Sequence, residues 1–148
     1  MTSTGSRIDS AIYVDRIRSV CAAVKAHDIE TVLTYFDDAC VFVNGVTGTT
    51  SEKPELVEFL KETWAVFPDY APRPVVTYMQ GNTLGALFEM AGTPPQAEGQ
   101  AAPEQIRWLA ASFSTFDPVT LKIVRDAYYV DEEAIQQQIA AAQHAETH

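Results

Sequence analysis

A stretch within the last third of the chain, residues 108–138, is the part that most constrains the fold. Its β-branched and aromatic residues form two runs separated by a short turn, and a polar, helix-forming segment follows. This pattern predicts a long β-hairpin that leads into a C-terminal helix. Because strand side chains alternate between faces, the second strand places one acid, Asp126, on the same face as three other residues: Val124, Tyr128 and Val130.

Asp126 is the first candidate for chemistry. A carboxyl group among apolar neighbours costs free energy unless it is paired or used, and desolvation disfavours its charged form. We therefore predict that Asp126 is at least half-buried with a raised pKa. The structural alternatives are an ion pair with Arg73 or Arg107, or a hydrogen bond that caps a neighbouring backbone group.

Length and composition predict one domain. The chain has 148 residues, of which 47% are hydrophobic, enough for a single core over residues 1–148. Residues 1–7 and 140–148 are expected to be frayed. No apolar run approaches the roughly 20 residues that span a bilayer, and residues 1–10 lack the features of a signal peptide. We expect a cytoplasmic protein without a membrane partner.

Charge and cysteine usage exclude other classes. The net charge of −10 opposes a phosphate backbone, and the ten basic residues are scattered along the sequence, so no nucleic-acid partner is expected. Cys21 and Cys40 lie in apolar settings without the close spacing of a metal site or a redox pair. They are predicted to be buried free thiols, and no metal site is expected.

Helices precede most of the strands. Apolar residues recur at helical spacing over residues 7–25, and Asp28 is positioned to cap a second helix over residues 29–36. A strand is predicted over residues 37–46. Residues 54–67 follow as a third helix that begins at a proline.

Two hairpins complete the pattern. Their predicted strands are residues 73–80 and 83–91, then 104–116 and 121–130. This order predicts an α+β fold: a cone in which a strongly curved antiparallel sheet wraps around the N-terminal helices and leaves a pocket at its open end.

Several segments carry a family resemblance. They are KAHDIETVLTYFDDACVFV, FPDY, QGNT, AGTPP and KIVRDAYYVD. Together they resemble the SnoaL-like polyketide cyclases of the nuclear-transport-factor-2-like superfamily, from about Ile8 to Ile139. The resemblance implies the cone, a hydrophobic small-molecule ligand, no cofactor, and a homodimer formed through the outer sheet face. The candidates for that face are Leu109, Ala111 and Phe113.

The resemblance also implies a site. SnoaL-like cyclases close a ring by intramolecular aldol condensation, which requires one acid/base carboxylate and a shaped apolar pocket. In this chain Asp126 would move the proton, and Tyr128 and Ser112 would orient a substrate oxygen. Trp108 and Trp64 would form the pocket walls.

Two relatives in the superfamily provide comparisons. The catalytic positions of ketosteroid isomerases correspond here to Val20, to Val43 or Asn44, and to Ser112. Valine can neither accept nor donate a proton, so isomerisation by that mechanism is not expected.

Limonene epoxide hydrolases offer an alternative function. The chain is similar to them at Asn44, Phe42, Glu89 and Asp126. Leu87 stands where their arginine would be, so the cation that tunes the paired acids is missing.

Two questions stay open in the sequence. The isomerase comparison turns Val43 toward the pocket and the hydrolase comparison turns Asn44, and a shift of one residue reverses the faces of a strand. A second class of function is a non-catalytic ligand-binding or dimerisation module that keeps the cone without the chemistry.

Overall fold

The computed structural model describes residues 3–144. The elements in chain order are α1 (Ser3–Lys25), α2 (Ile29–Thr34), β1 (Phe36–Asn44), β2 (Thr50–Ser51), α3 (Lys53–Val66), β3 (Ala71–Gln80), β4 (Thr83–Gly92), β5 (Ile106–Phe116), β6 (Ile123–Tyr129) and α4 (Glu132–His144). Of the residues expected to be frayed, 3–7 belong to α1 and 140–144 to α4, and residues 1–2 and 145–148 lie outside the described residues. No helix in the described range has the length and apolar character needed to cross a bilayer.

Six strands form one curled, unclosed sheet in the order β2-β1-β6-β5-β4-β3. With the N-terminal helices it makes the α+β cone that the sequence predicted. One pairing differs from the expected antiparallel sheet, because β1 and β6 run parallel. Strands β3, β4 and β5 separate those two in sequence, so no hairpin fixes their relative direction.

Helix α1 packs through one stripe of buried side chains: Tyr13, Ile17, Cys21 and Val24. Their spacing of three to four residues is the helical repeat. The Tyr13 ring lies 4.7 Å from the ring of Phe116 on β5, centroid to centroid. The helix therefore closes over one face of the sheet, which we call the inner face.

Local capping explains where the next helices begin. The Asp28 carboxylate accepts hydrogen bonds from the Thr31 backbone N–H at 3.1 Å and from its hydroxyl at 2.7 Å, which confirms the predicted cap of α2. A capping box between Glu52 and Glu55 starts α3, with a proline in the first turn.

The core fills the space between the helices and the inner face. Its aromatic and aliphatic members on the sheet are Phe36, Phe42, Leu84, Phe88, Phe116 and Ile123, all at most 9% exposed. Cys21 and Cys40 are buried free thiols, as predicted.

Strand β2 was not predicted. It contributes two residues that pair with Phe42 and Val43 of β1. A two-residue strand is too short to show the alternation by which strands are recognised.

Candidate functional site

Asp126 lies in the middle of the inner face. Its partners across the sheet are Phe42 on β1 and Ser114 on β5. Residues opposite one another share a face, and these two partners are 6% and 1% exposed. The carboxyl group of Asp126 is therefore directed toward the core.

The carboxyl group is buried without a partner. Asp126 as a residue is half-buried, but its Oδ1 has no hydrogen bond within the described part of the chain. Burial raises the pKa of Asp126 to about 7. Burial raises the pKa of the Cys40 thiol to about 12, and the negative charge of the Asp126 carboxylate adds to this shift. The predicted burial and pKa direction agree with the structure.

Two predicted neighbours share this face. Tyr128 on β6 and Ser112 on β5 lie directly opposite each other. This pair is two residues along the strands from the pair of Asp126 and Ser114, and both pairs are on the inner face. The two pairs bring one carboxyl and three hydroxyl side chains to one face of two strands. Ser114 was missed by the sequence analysis, although its alternation with Ser112 in Ser-Phe-Ser was a usable signal.

The residue that precedes Asp126 on the inner face is Ile123, not Val124. A register shift near Phe116 inserts an extra residue into β6. Ile123 is 1% exposed, whereas Val124 is half-buried. The apolar surroundings of Asp126 were predicted correctly, but Val124 was a wrong member of the set and Val130 lies beyond the end of β6.

The register of β1 is resolved by its pairing with β6. Phe42 is opposite Asp126 and Asn44 is opposite Tyr128, so Asn44 shares the inner face and Val43 does not. The Asn44 Oδ1 accepts hydrogen bonds from the backbone N–H groups of Val46 at 3.0 Å and Thr47 at 3.2 Å. Its carbonyl oxygen thus stabilises the turn after β1.

The two tryptophans pack against other elements, and Trp108 lies away from Asp126. Trp108 is six residues along β5 from Ser114, or about 20 Å at the rise of a strand. It packs against Phe67, with ring centroids 5.2 Å apart. Trp64 donates its indole N–H to the Val24 carbonyl at 3.1 Å. Both side chains are structural contacts between elements in this conformation.

Glu89 is not brought to Asp126. It pairs with Leu109, which is 61% exposed, so it projects from the outer face of the sheet. The Glu89 Oε1 accepts hydrogen bonds from Arg73 at 2.9 Å and Arg107 at 2.8 Å. The bond from Arg73 and then that from Arg107 lower the pKa of Glu89. Both arginines that could have paired with Asp126 are thus held by Glu89.

Two surface cavities lie elsewhere. One, of about 310 Å³, is a shallow depression on the outer face between Leu87, Leu109 and Tyr129. The other, of about 540 Å³, lies between α1 and the adjoining ends of β3, β4 and β5. Asp126 lines neither of them.

Solved structures share this fold. AclR from Streptomyces galilaeus, named as a candidate hydroxylase, is 11% identical with a TM-score of 0.74, over 88% of this chain and 97% of that one. IdmH from Streptomyces antibioticus, named as a candidate polyketide cyclase, is 17% identical with a TM-score of 0.74, over 86% and 98%. TerC, crystallised with polyporic acid, is 18% identical with a TM-score of 0.68, over 86% and 98%.

The sequence itself carries a family signal. No curated protein matches the chain. The SnoaL-like domain, however, matches residues 17–126, which extend from the first helix to the inner-face carboxyl group. The chain belongs to the SnoaL-like domain family.

Proposed function

We propose that this protein is a cofactor-independent enzyme that acts on a hydrophobic, polyketide-like small molecule, with Asp126 as its single acid/base. Membership of the SnoaL-like family supports a cyclase or a related isomerase or lyase. The observation that carries the proposal is the unpaired, buried Oδ1 of Asp126 on the inner face. A carboxyl group with a pKa of about 7 is close to the optimum for moving protons at neutral pH.

An aldol cyclisation needs only this carboxyl group. The Asp126 carboxylate removes a proton from the carbon beside a substrate ketone, and the C–H electron pair enters an enolate. The enolate carbon attacks a second carbonyl carbon of the same molecule, so that a C–C bond forms and the C=O π bond breaks. The new alkoxide takes the proton back from Asp126. The product is an isomer of the substrate, and no oxidant or reductant is required.

Tyr128 and Ser112 would stabilise the oxygen that gains charge. Their side chains lie on the same face of the sheet as Asp126, two residues along the strands from the pair of Asp126 and Ser114. A hydroxyl donor aimed at a developing oxyanion lowers the barrier more than the same bond to a neutral carbonyl. In this proposal the carboxyl group of Asp126 moves the proton, and the hydroxyl groups of Tyr128 and Ser112 orient the substrate oxygen.

The test is Asp126→Asn, assayed on a panel of enolisable linear diketones by chromatography that detects a product of unchanged mass. Turnover should fall by about 10²- to 10⁴-fold, the usual loss of a positioned acid/base. Asp131→Asn is the matched control, because Asp131 caps α4 by accepting the Ala134 N–H at 3.0 Å and asparagine caps equally well. Equal turnover by the parent and Asp126→Asn would refute the assignment.

A non-catalytic binding module is the second candidate, and one observation favours it. Phe42 is opposite Asp126 and belongs with Phe36 and Phe116 to the buried core, so core side chains occupy the inner face beside the carboxyl group. A parent protein that binds polyketide-like ligands without converting any of them would support the module. The epoxide hydrolase alternative is less favourable, because its second acid would be Glu89 on the opposite face.

We also propose a homodimer through the outer face. Leu109 is 61% exposed and Phe113 38% exposed, and Phe113 packs edge-on against Tyr129 with ring centroids 6.0 Å apart. Large apolar side chains in a contiguous exposed patch are typical of association surfaces.

A further inference from the structure

Four of the ten basic residues of the chain line one groove. The cavity of about 540 Å³ beside α1 contains Arg18, Lys25, Arg73 and Arg107, with Glu89 as the one acid among its lining residues. The lining thus carries three more positive than negative charges, whereas the whole chain has a net charge of −10. The basic residues that are scattered in sequence are concentrated here by the fold.

The sheet side of the groove holds two guanidinium groups close together. Arg73 and Arg107 both donate to the same Glu89 oxygen, at 2.9 and 2.8 Å. Each guanidinium has five N–H donors in a fixed plane, so most of their donors stay available after these bonds. Their side chains are 65% and 63% exposed. Glu89 therefore acts as a positioning residue that keeps two cations side by side.

The helix side adds two further cations. Arg18, Ala22 and Lys25 follow the helical repeat along the stripe of α1 that borders the groove. Arg18 and Lys25 are exposed, and neither forms an ion pair within the described residues. Lys25 also complements the C-terminal end of the helix dipole, but that role leaves its three donors free. The small Ala22 leaves space between the two long side chains.

We infer that this groove binds a small molecule through an anionic group, a phosphate monoester or a carboxylate. Paired guanidinium groups match the geometry of both anions and bind them in a bidentate manner. A compact anion fits better than a polyanion, because the acidic remainder of the surface repels an extended negative chain. The volume is in the range of small-molecule sites. The groove lies at the β3 edge of the sheet, between α1 and the outward-facing Arg73, Glu89 and Arg107, and Asp126 does not line it. The inference is therefore independent of the proposed reaction.

The experiment is an NMR titration of the full chain with phenyl phosphate, benzoate and neutral benzyl alcohol, followed at the amides of Ala22, Ala91 and Gln105. Both anions, or one of them, should give saturable shifts in these amides, and benzyl alcohol should not. Tighter binding of phenyl phosphate assigns a phosphate monoester, and equal or tighter binding of benzoate assigns a carboxylate. No saturable shift with either anion would overturn the inference.

Substitutions localise the binding. Arg73→Gln and Arg107→Gln should each weaken binding by about tenfold, the usual value of a charge-assisted hydrogen bond. Arg125→Gln is the matched control, because Arg125 is an exposed arginine on β6 that does not line the groove. An equal loss of affinity in Arg125→Gln would show that the effect comes from the net charge of the protein, and it would refute the site. If a strand variant fails to fold, Arg18→Gln on the helix surface provides the same test.

Discussion

Asp126 and Glu89 project from opposite faces of the same sheet. Asp126 pairs with the buried Ser114 and Glu89 with the exposed Leu109, five residues apart on β5, an odd separation that reverses the face. The two acids cannot share one substrate. Glu89→Gln should therefore keep turnover within about threefold of the parent, whereas a paired-carboxylate mechanism would lose about 10²-fold or more. Equal, severe losses in Glu89→Gln and Asp126→Asn would replace the cyclase account by the hydrolase one.

Tyr128→Phe tests the oxygen-orienting role. The change removes one hydroxyl group from the inner face and keeps the ring that packs against the core. Turnover should fall by about 10-fold to 10²-fold, with a larger effect on kcat than on KM, because the bond is strongest in the transition state. Tyr129→Phe, on the outer face, is the matched control and should have no effect on either constant. A change in KM alone would assign Tyr128 to binding.

The buried carboxyl group makes stability depend on pH. The pKa of Asp126 is about 7 in the folded chain and near 3.8 when unfolded, so between pH 4 and 7 the unfolded chain binds fewer protons. The free energy of unfolding therefore decreases as pH rises through this window, by about 4 kcal/mol in all. Asp126→Asn should remove this decrease and be more stable than the parent at pH 8, as measured by urea denaturation. Asp131→Asn should retain it, and an unchanged pH profile in Asp126→Asn would contradict the burial.

Association depends on the outer face. Replacing Leu109 and Phe113 by threonine keeps good strand formers and removes apolar surface from the patch, so the dimer dissociation constant should rise by at least about tenfold. Val119→Thr is the control, since Val119 is 89% exposed in the turn between β5 and β6. Light scattering measures the mass directly. A parent mass of 16.3 kDa at micromolar concentration would contradict the homodimer.

The sequence predicted the four helices and the five longer strands because each of them has a local signal. The Asp28 cap, the proline that opens α3 and the alternation in β5 all act within a few residues. Alternation within β6 placed Asp126 and Tyr128 on one face, whereas Ser112, which the structure pairs with Tyr128, came from the family resemblance. Local signals were sufficient for the cone and for one side of the candidate site.

Relationships across the sheet were less predictable. The parallel pairing of β1 with β6 joins residues that are far apart in sequence, and that pairing decides whether Val43 or Asn44 faces inward. The extra residue near Val124 forms a β-bulge, and no residue type in this part of the sequence indicates it. The capture of Arg73 and Arg107 by Glu89 depends on three strands meeting in register. Pairing between strands that are distant in sequence therefore decides that Glu89 and Asp126 lie on different faces of the sheet.

Titration of the Asp126 carboxyl carbon by NMR tests the central claim most directly, because it requires no substrate. The carboxyl group is buried, lacks a partner at Oδ1 and faces apolar side chains, so its pKa should be about 7. The carboxyl carbon of Asp131, at the exposed start of α4, provides an internal comparison in the same spectrum. A midpoint near 7 for Asp126 supports the acid/base role at neutral pH, and a midpoint at or below about 3.9 would contradict it.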